Sequence, residues 1–203
     1  MIKHLIASLA LCSASALIFA QANSPTIPTV RLRGTLEKVE AGSITLKERS
    51  GEVVQLVMTP ATPVSEVLPI ALADIQTGSF IGTAAMPQAD GSQVALEVLV
   101  FPEAARGAGE GHYPWDLQPQ STMTNATVAD LVASGEGRTL TLKYKDGEKK
   151  LLVPANVPVV TFKPGDASLL VPGAKVLVNT QVVDGKPTAQ RILAGRNGFT
   201  PPM

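Results

Sequence analysis

The chain has few of the side chains that bind transition metals or act as thiol nucleophiles. Among 203 residues there is one cysteine, Cys12, and there are two histidines, His4 and His112. Tight zinc and copper sites take three or four ligands, mostly from these two residue types. We therefore expect no tightly bound transition metal, no intramolecular disulfide and no cofactor.

Aromatic residues and excess charge are also scarce. Phenylalanine, tyrosine and tryptophan make up 4% of the sequence, and 17 basic residues balance 17 acidic ones. Proteins that bind single-stranded nucleic acid combine a basic groove with stacking aromatic side chains. The composition therefore predicts no nucleic-acid partner. Beyond the N-terminus no apolar run approaches the length of about 20 residues that a spanning helix needs, so we expect no membrane span.

The first 22 residues have the pattern of a secretory signal peptide. Lys3 precedes an apolar run from Leu5 to Phe19, and Ala20-Gln21-Ala22 matches a cleavage site. A membrane anchor is one alternative, but the run is short for a span. Lipidation at Cys12 is another, although the large Leu11 precedes it. We expect cleavage after Ala22 and export to the periplasm, which leaves His112 as the one histidine of the mature chain.

The rest of the sequence contains an internal repeat. Ile44-Thr45-Leu46-Lys47 precedes Gly51-Glu52, and Leu140-Thr141-Leu142-Lys143 precedes Gly147-Glu148 at the same separation. Asp90-Gly91 likewise matches Asp184-Gly185. Self-similarity in this order predicts repeated architecture. We infer two copies of one unit, residues 30–101 and 125–194, joined by a linker at 102–124 and followed by a tail at 195–203.

Each copy is predicted to be composed of β-strands. Short alternating apolar runs flank turn signals such as Asp146-Gly147 and Asp184-Gly185, a typical hairpin pattern. The connections at 68–77 and 166–171 have room for about one helical turn each. About five strands in a short unit fit a small closed barrel, which protects strand edges. The sequence therefore predicts an all-β protein of two tandem OB-like barrels, with a small sandwich as the alternative.

Several motifs resemble those of a bacterial family of exported proteins. They are "LADIQTGSFIG" and "SLLVPGAKVLV" before the second hairpins, together with "GEGHYPWD", "STMTNATV" and the terminal "PPM". The resemblance implies two OB-like β-barrel domains, a periplasmic location and no established activity. Members of this family often carry the automatic label "metal ABC transporter permease". That label conflicts with the sequence, because a permease needs several spanning helices.

The linker concentrates side chains that are rare elsewhere. Within Gly111–Asp116 the chain places His112, Tyr113, Trp115 and Asp116. In an extended segment Tyr113 and Trp115 point to one side and His112 to the other. One interpretation is that Trp115 fills the junction of the two barrels, with its N–H bonded to a main-chain carbonyl. The other makes these four residues a binding surface for a ligand or partner.

Two further hypotheses start from the same linker. Glu110, His112, Asp116 and Met123 are close enough in sequence to suggest a weak metal site. Ser121 or Thr122 with His112 and Asp116 has the residue types of a hydrolase triad, although geometry defines a triad. The sequence best fits a non-enzymatic periplasmic protein that binds or scaffolds an unknown envelope ligand or protein. The alternatives are an accessory metal-binding protein of a transport system and an unrecognised hydrolase.

Overall fold

The computed structural model describes residues 28–135 and 137–203, so the predicted signal peptide lies outside it. Strands dominate these residues, and the prediction of an all-β protein is confirmed. The strands are β1 (Val30–Glu40), β2 (Ser43–Glu48), β3 (Val53–Val57), β4 (Val64–Pro69), β5 (Phe80–Pro87), β6 (Gln93–Ala95), β7 (Val98–Val100), β8 (Gly111–Pro114), β9 (Thr122–Ser134), β10 (Gly137–Tyr144), β11 (Gly147–Pro154), β12 (Val159–Pro164), β13 (Lys175–Val183) and β14 (Lys186–Gly195).

In the described residues the helical content consists of short 3₁₀ turns. They lie at Leu72–Asp74, Glu103–Ala105 and Ala167–Leu169. The first and last confirm the single turns expected in the connections at 68–77 and 166–171. Within residues 28–135 and 137–203, no helix has the length and apolar character needed to cross a membrane.

Five strands, drawn from the beginning and the end of the described chain, close a β-barrel. We call it the first ring. β1, β2 and β3 are antiparallel neighbours, β3 joins β14 in parallel, and β14 returns through β13 to β1. Alternate side chains of these strands point inward and form one apolar core. Its fully buried members include Leu36, Ile44, Leu46, Leu56, Val178 and Ile192.

The middle of the chain forms a second ring of pairings with the same scheme. β9, β10 and β11 are antiparallel neighbours, β11 joins β6 in parallel, and β6 returns through β5 to β9. A separate apolar core fills this ring. Its fully buried members include Ile81, Ala126, Val128, Leu140, Leu142 and Leu151.

The origin of the strands in each ring corrects the predicted tandem order. Residues 30–101 do not close on themselves, because their second hairpin, β5 with β6, completes the second ring. In the same way the hairpin of β13 and β14 completes the first ring. The connecting segments follow this exchange: Ile75 is buried in the second core and Leu169 in the first. Hairpin signals locate strands along the chain, but they do not reveal which ring a hairpin joins.

The two rings meet at an antiparallel pair of strands, β4 and β12. Val67 lies opposite Phe162 in the register. β4 pairs in parallel with β14 and β12 pairs in parallel with β7, so one continuous run of hydrogen bonds links both rings. A third apolar cluster lies along this seam and contains Val67, Val160, Leu177, Leu193 and Met203.

We expect the protein to unfold in one cooperative transition, because each ring needs strands from the other half of the chain. Leu36→Ala removes a fully buried side chain from the first core, and Leu140→Ala removes one from the second. Each change should lower the free energy of unfolding by about 2–5 kcal/mol. Urea denaturation followed by circular dichroism measures both effects.

The control is Leu152→Ala, because Leu152 is 41% exposed. The free energy of unfolding of this variant should stay within about 0.5 kcal/mol of that of the parent protein. Two separable transitions, with Leu36→Ala affecting one and Leu140→Ala the other, would contradict the exchange of hairpins.

Candidate functional site

A cavity of about 300 Å³ lies where the two rings meet, and we call it the seam cavity. Strands of both rings, β12 and the loop around Ala108 all contribute to its wall. The apolar part of the wall comprises Leu99, Phe101, Met123, Phe162, Leu177, Leu193 and Met203. The polar and amphipathic part comprises Arg31, Glu97, Tyr113, Trp115, Asn125, Asn179 and Arg191.

Glu97 is a buried carboxylic acid in this wall, with 1% of its surface exposed. It occupies the break between β6 and β7, where the pairing with β5 is interrupted. Its Oε1 accepts a 2.8 Å hydrogen bond from the Ala84 N–H, and its main-chain oxygen accepts one from the Thr83 hydroxyl. Burial raises the pKa of Glu97 to about 7, against the opposing effects of the Ala84 N–H and the charge of Arg33.

The other carboxylate oxygen of Glu97, Oε2, is buried and has no hydrogen-bond partner among the residues described. A buried oxygen without a partner costs free energy, because folding removes the water that would otherwise bond to it. The acid is therefore held in place by one oxygen and left with free accepting capacity on the other.

Asn125 contributes a second unpartnered acceptor. Its Nδ2 donates to the main-chain oxygen of Ala108 at 3.1 Å and to the hydroxyl of Tyr113 at 3.2 Å. Its Oδ1 is buried and bonds to none of the residues in the described ranges. Gly82 lies opposite Asn125 in the β5–β9 register, and a Cβ there would stand 2.6 Å from Oδ1. The glycine is what allows the amide to occupy this position.

Trp115 contributes an unpartnered donor. It follows β8, the short strand that pairs with β9, and its main-chain N–H donates to the Ser121 oxygen at 2.8 Å. The guanidinium of Arg31 lies 3.9 Å from the centre of the indole ring, a cation–π contact. The indole Nε1 is buried, yet it meets no acceptor in the part of the chain that the structure describes. The expected bond from this N–H to a main-chain carbonyl is therefore wrong.

The four residues predicted from the linker divide between the inside and the outside of the cavity. Tyr113 and Trp115 both line it, with ring centres 6.1 Å apart, as the alternation of side chains predicted. His112 lies on the other side of β8, where its Nδ1 is 2.8 Å from the Thr124 hydroxyl. Burial, followed by the charge of Lys149, lowers the pKa of His112.

Asp116 is exposed and links the linker to the first ring. Its carboxylate accepts hydrogen bonds from Arg33 at 2.7 Å and from Arg31 at 3.4 Å. Partial burial acts to raise the pKa of Asp116, but the bonds and charges of the two arginines outweigh it and lower the pKa. Asp116 thus holds Arg31 against Trp115 at the edge of the cavity.

The residues of the other two hypotheses make different contacts. The Ser121 hydroxyl bonds to the main chain of Trp115 and Gln118, and the Thr122 hydroxyl is 3.0 Å from the Gln93 side chain. The ring of His112 pairs instead with the Thr124 hydroxyl. Over residues 28–135 and 137–203, no three His, Cys, Asp or Glu side chains come together as a metal-binding group.

Sequence reasoning from the linker missed five polar residues of the cavity, namely Arg31, Glu97, Asn125, Asn179 and Arg191. For Glu97 a signal was present. It falls in an apolar strand segment, on the same side as Ala95 and Leu99, where a charged residue is unusual. For the others no local pattern existed, because they come from strands that meet only after the exchange of hairpins.

Comparison of the chain with family models, with curated proteins and with solved structures finds no match. The resemblance to the exported bacterial family therefore stays a prediction from the sequence motifs.

We expect the stability of the protein to report the titration of Glu97. The folded pKa of about 7 exceeds the ordinary value of 4.5, so between these pH values the folded state keeps a proton that the unfolded state has released. The free energy of unfolding should therefore fall as the pH rises from 4.5 to 7 and then level off, with a contribution on the order of 3 kcal/mol. Glu97→Gln removes the ionisation and should remove this part of the pH dependence.

The measurement is urea denaturation at pH 4.5, 6 and 8, expressed as the difference between parent and variant, which cancels the titration of shared groups such as His112. Glu52→Gln, at an exposed position, is the matched control and should leave the difference constant. A constant difference for Glu97→Gln as well would show that Glu97 titrates at its ordinary pKa.

Proposed function

We propose that the protein binds a small organic ligand in the seam cavity and that it does so without catalysing a reaction. The observation that carries the proposal is the position of the unpartnered polar atoms. Glu97 Oε2, Trp115 Nε1 and Asn125 Oδ1 are buried without partners within the described ranges, and all three residues line one cavity.

Energetics favour a ligand as the explanation for these unpartnered groups. Each unsatisfied buried group costs about 1–3 kcal/mol, and native proteins contain only a few of them. A ligand that supplies the missing partners recovers this free energy on binding. The combination of an apolar wall with a few convergent polar groups is typical of small-molecule sites, and a volume of about 300 Å³ lies at the small end of their range.

The fixed positions of the three side chains also support binding. Glu97 is fixed by the Ala84 N–H, Asn125 by two donated bonds, and Trp115 by its main-chain bond and by Arg31. Side chains held in this way need little reordering when a ligand arrives, which reduces the entropic cost of binding.

We infer further that both rings are versions of one OB-like barrel, each completed by the second hairpin of the other copy. The sequence repeat and the identical pairing scheme of the two rings support this. The N-terminal pattern supports export, so we place the binding activity in the periplasm. The unknown envelope ligand expected from the sequence is then the occupant of the seam cavity.

The test uses protein exported and purified from a native periplasm. We expect native mass spectrometry to show a noncovalent small-molecule adduct that is released on unfolding. Ala108→Phe places a ring at an exposed residue of the cavity wall and should abolish the adduct. Ala104→Phe, at an exposed residue of the neighbouring 3₁₀ turn, is the control and should retain it. Equal amounts of adduct in both variants would place the ligand elsewhere. A parent protein that carries no small-molecule adduct would contradict the proposed function.

A further inference from the structure

We propose that the seam cavity recognises a neutral primary carboxamide at one end of an apolar ligand. This inference rests on the proposed function and adds the chemical class of the ligand. It is drawn from the donor and acceptor count of Glu97, Asn125 and Trp115, together with the partners already held by the arginines around the cavity.

The unpartnered atoms define what the ligand must supply. Glu97 Oε2, when ionised, and Asn125 Oδ1 are acceptors, while Trp115 Nε1–H is a donor. The complement is therefore a group with two donors and one acceptor. A primary carboxamide has this set, because its NH₂ carries two N–H donors and its carbonyl oxygen accepts. The NH₂ would bond to Glu97 and Asn125, and the carbonyl would accept from Trp115.

Other common head groups leave part of this set unsatisfied. A carboxylate has no donor for the two acceptors and would bring a negative charge beside Glu97. An ammonium group has donors but cannot accept from Trp115. A single hydroxyl has one donor for two acceptors. Sites that bond to a polar substituent discriminate against analogues that lack it, because their own buried groups are then left without partners.

Two of the three cations around the cavity already have a carboxylate partner, which favours a neutral head group. Arg31 lies on the Trp115 ring and bonds to Asp116. Arg33 bonds to the same carboxylate and to the main-chain oxygen of Met203. Arg191 lies 4.9 Å from the Phe162 ring centre and is 3.3 Å from the Ser65 hydroxyl. An anionic ligand would have to compete with these contacts.

The rest of the wall specifies the body of the ligand. Phe101 and Phe162 meet edge to face with ring centres 5.9 Å apart, and Leu99, Leu193 and Met203 extend the apolar surface. Aromatic and aliphatic walls of this kind favour an apolar body, and burial of that body supplies most of the affinity. A flat ring of the size of phenyl fits a volume of about 300 Å³.

The experiment compares four compounds that share one phenyl body. They are phenylacetamide, phenylacetate, phenethylamine and ethylbenzene, each titrated into the full exported protein by calorimetry at pH 8, where the Glu97 carboxylate is charged. Any endogenous ligand is first removed by unfolding and refolding. We expect phenylacetamide to bind about tenfold or more tightly than each of the other three, since at least one hydrogen bond to a buried group is lost in every analogue.

Three variants identify the contacts. Glu97→Gln replaces the unpartnered acceptor oxygen by an NH₂ group. It should weaken the affinity for phenylacetamide by about tenfold and leave the affinity for ethylbenzene unchanged. Trp115→Phe removes the donor and should reduce the preference for phenylacetamide over ethylbenzene. Glu52→Gln, at an exposed site, is the matched control and should change neither affinity. The denaturation curves of the variants show whether each is folded.

The outcomes separate this inference from the proposed function. If phenylacetate, phenethylamine or ethylbenzene binds more tightly than phenylacetamide, and Ala108→Phe abolishes that binding, the inference of a carboxamide is overturned. The cavity then remains a ligand site for another head group. An unchanged preference in Glu97→Gln would also overturn it. If none of the four compounds binds, the inference of a carboxamide ligand with a phenyl-sized body is overturned. The proposed function is decided separately, by the adduct from the native periplasm.

Discussion

The antiparallel pairing of β4 with β12 is the interaction on which the rest of the structure depends. It sets Val67 opposite Phe162, and the connections that follow these strands carry Ile75 into the second core and Leu169 into the first. Each half of the chain therefore supplies three strands to one ring and a hairpin to the other. The barrel of the first ring contains both the first and the last described strands, so neither half contains a complete core. The two halves of the chain form one interlocked body with two apolar cores.

The same pairing explains where the cavity lies. The two rings meet along this seam, and side chains from both rings line the space between them. Arg31 and Arg191 come from the first ring, Glu97 and Asn125 from the second. Gly82 leaves room for the Asn125 amide, and Asp116 holds Arg31 on Trp115. The linker thus closes the cavity from one side, which accounts for the concentration of aromatic residues in a chain that has few.

Much of the local structure follows from the sequence. Asp-Gly turns and alternating apolar residues located the hairpins, and the spacing of Tyr113 and Trp115 predicted that they share a side. The ring to which each hairpin belongs could not be predicted, because strand pairing over long sequence separations depends on packing of the whole chain. The bond expected from the Trp115 N–H was wrong for the same reason: a residue pattern does not say whether an acceptor lies within reach. Glu97 was the polar cavity residue with a visible signal, an acid within an apolar strand segment.

The central claim is that the unpartnered atoms of the seam cavity belong to a ligand site. A crystal structure of protein purified from the native periplasm, without unfolding, tests it most directly. The account predicts continuous electron density of a bound organic molecule in the cavity, within hydrogen-bonding distance of Glu97, Asn125 and Trp115. Ordered waters that bond to all three side chains, with no other density in the cavity, would contradict it.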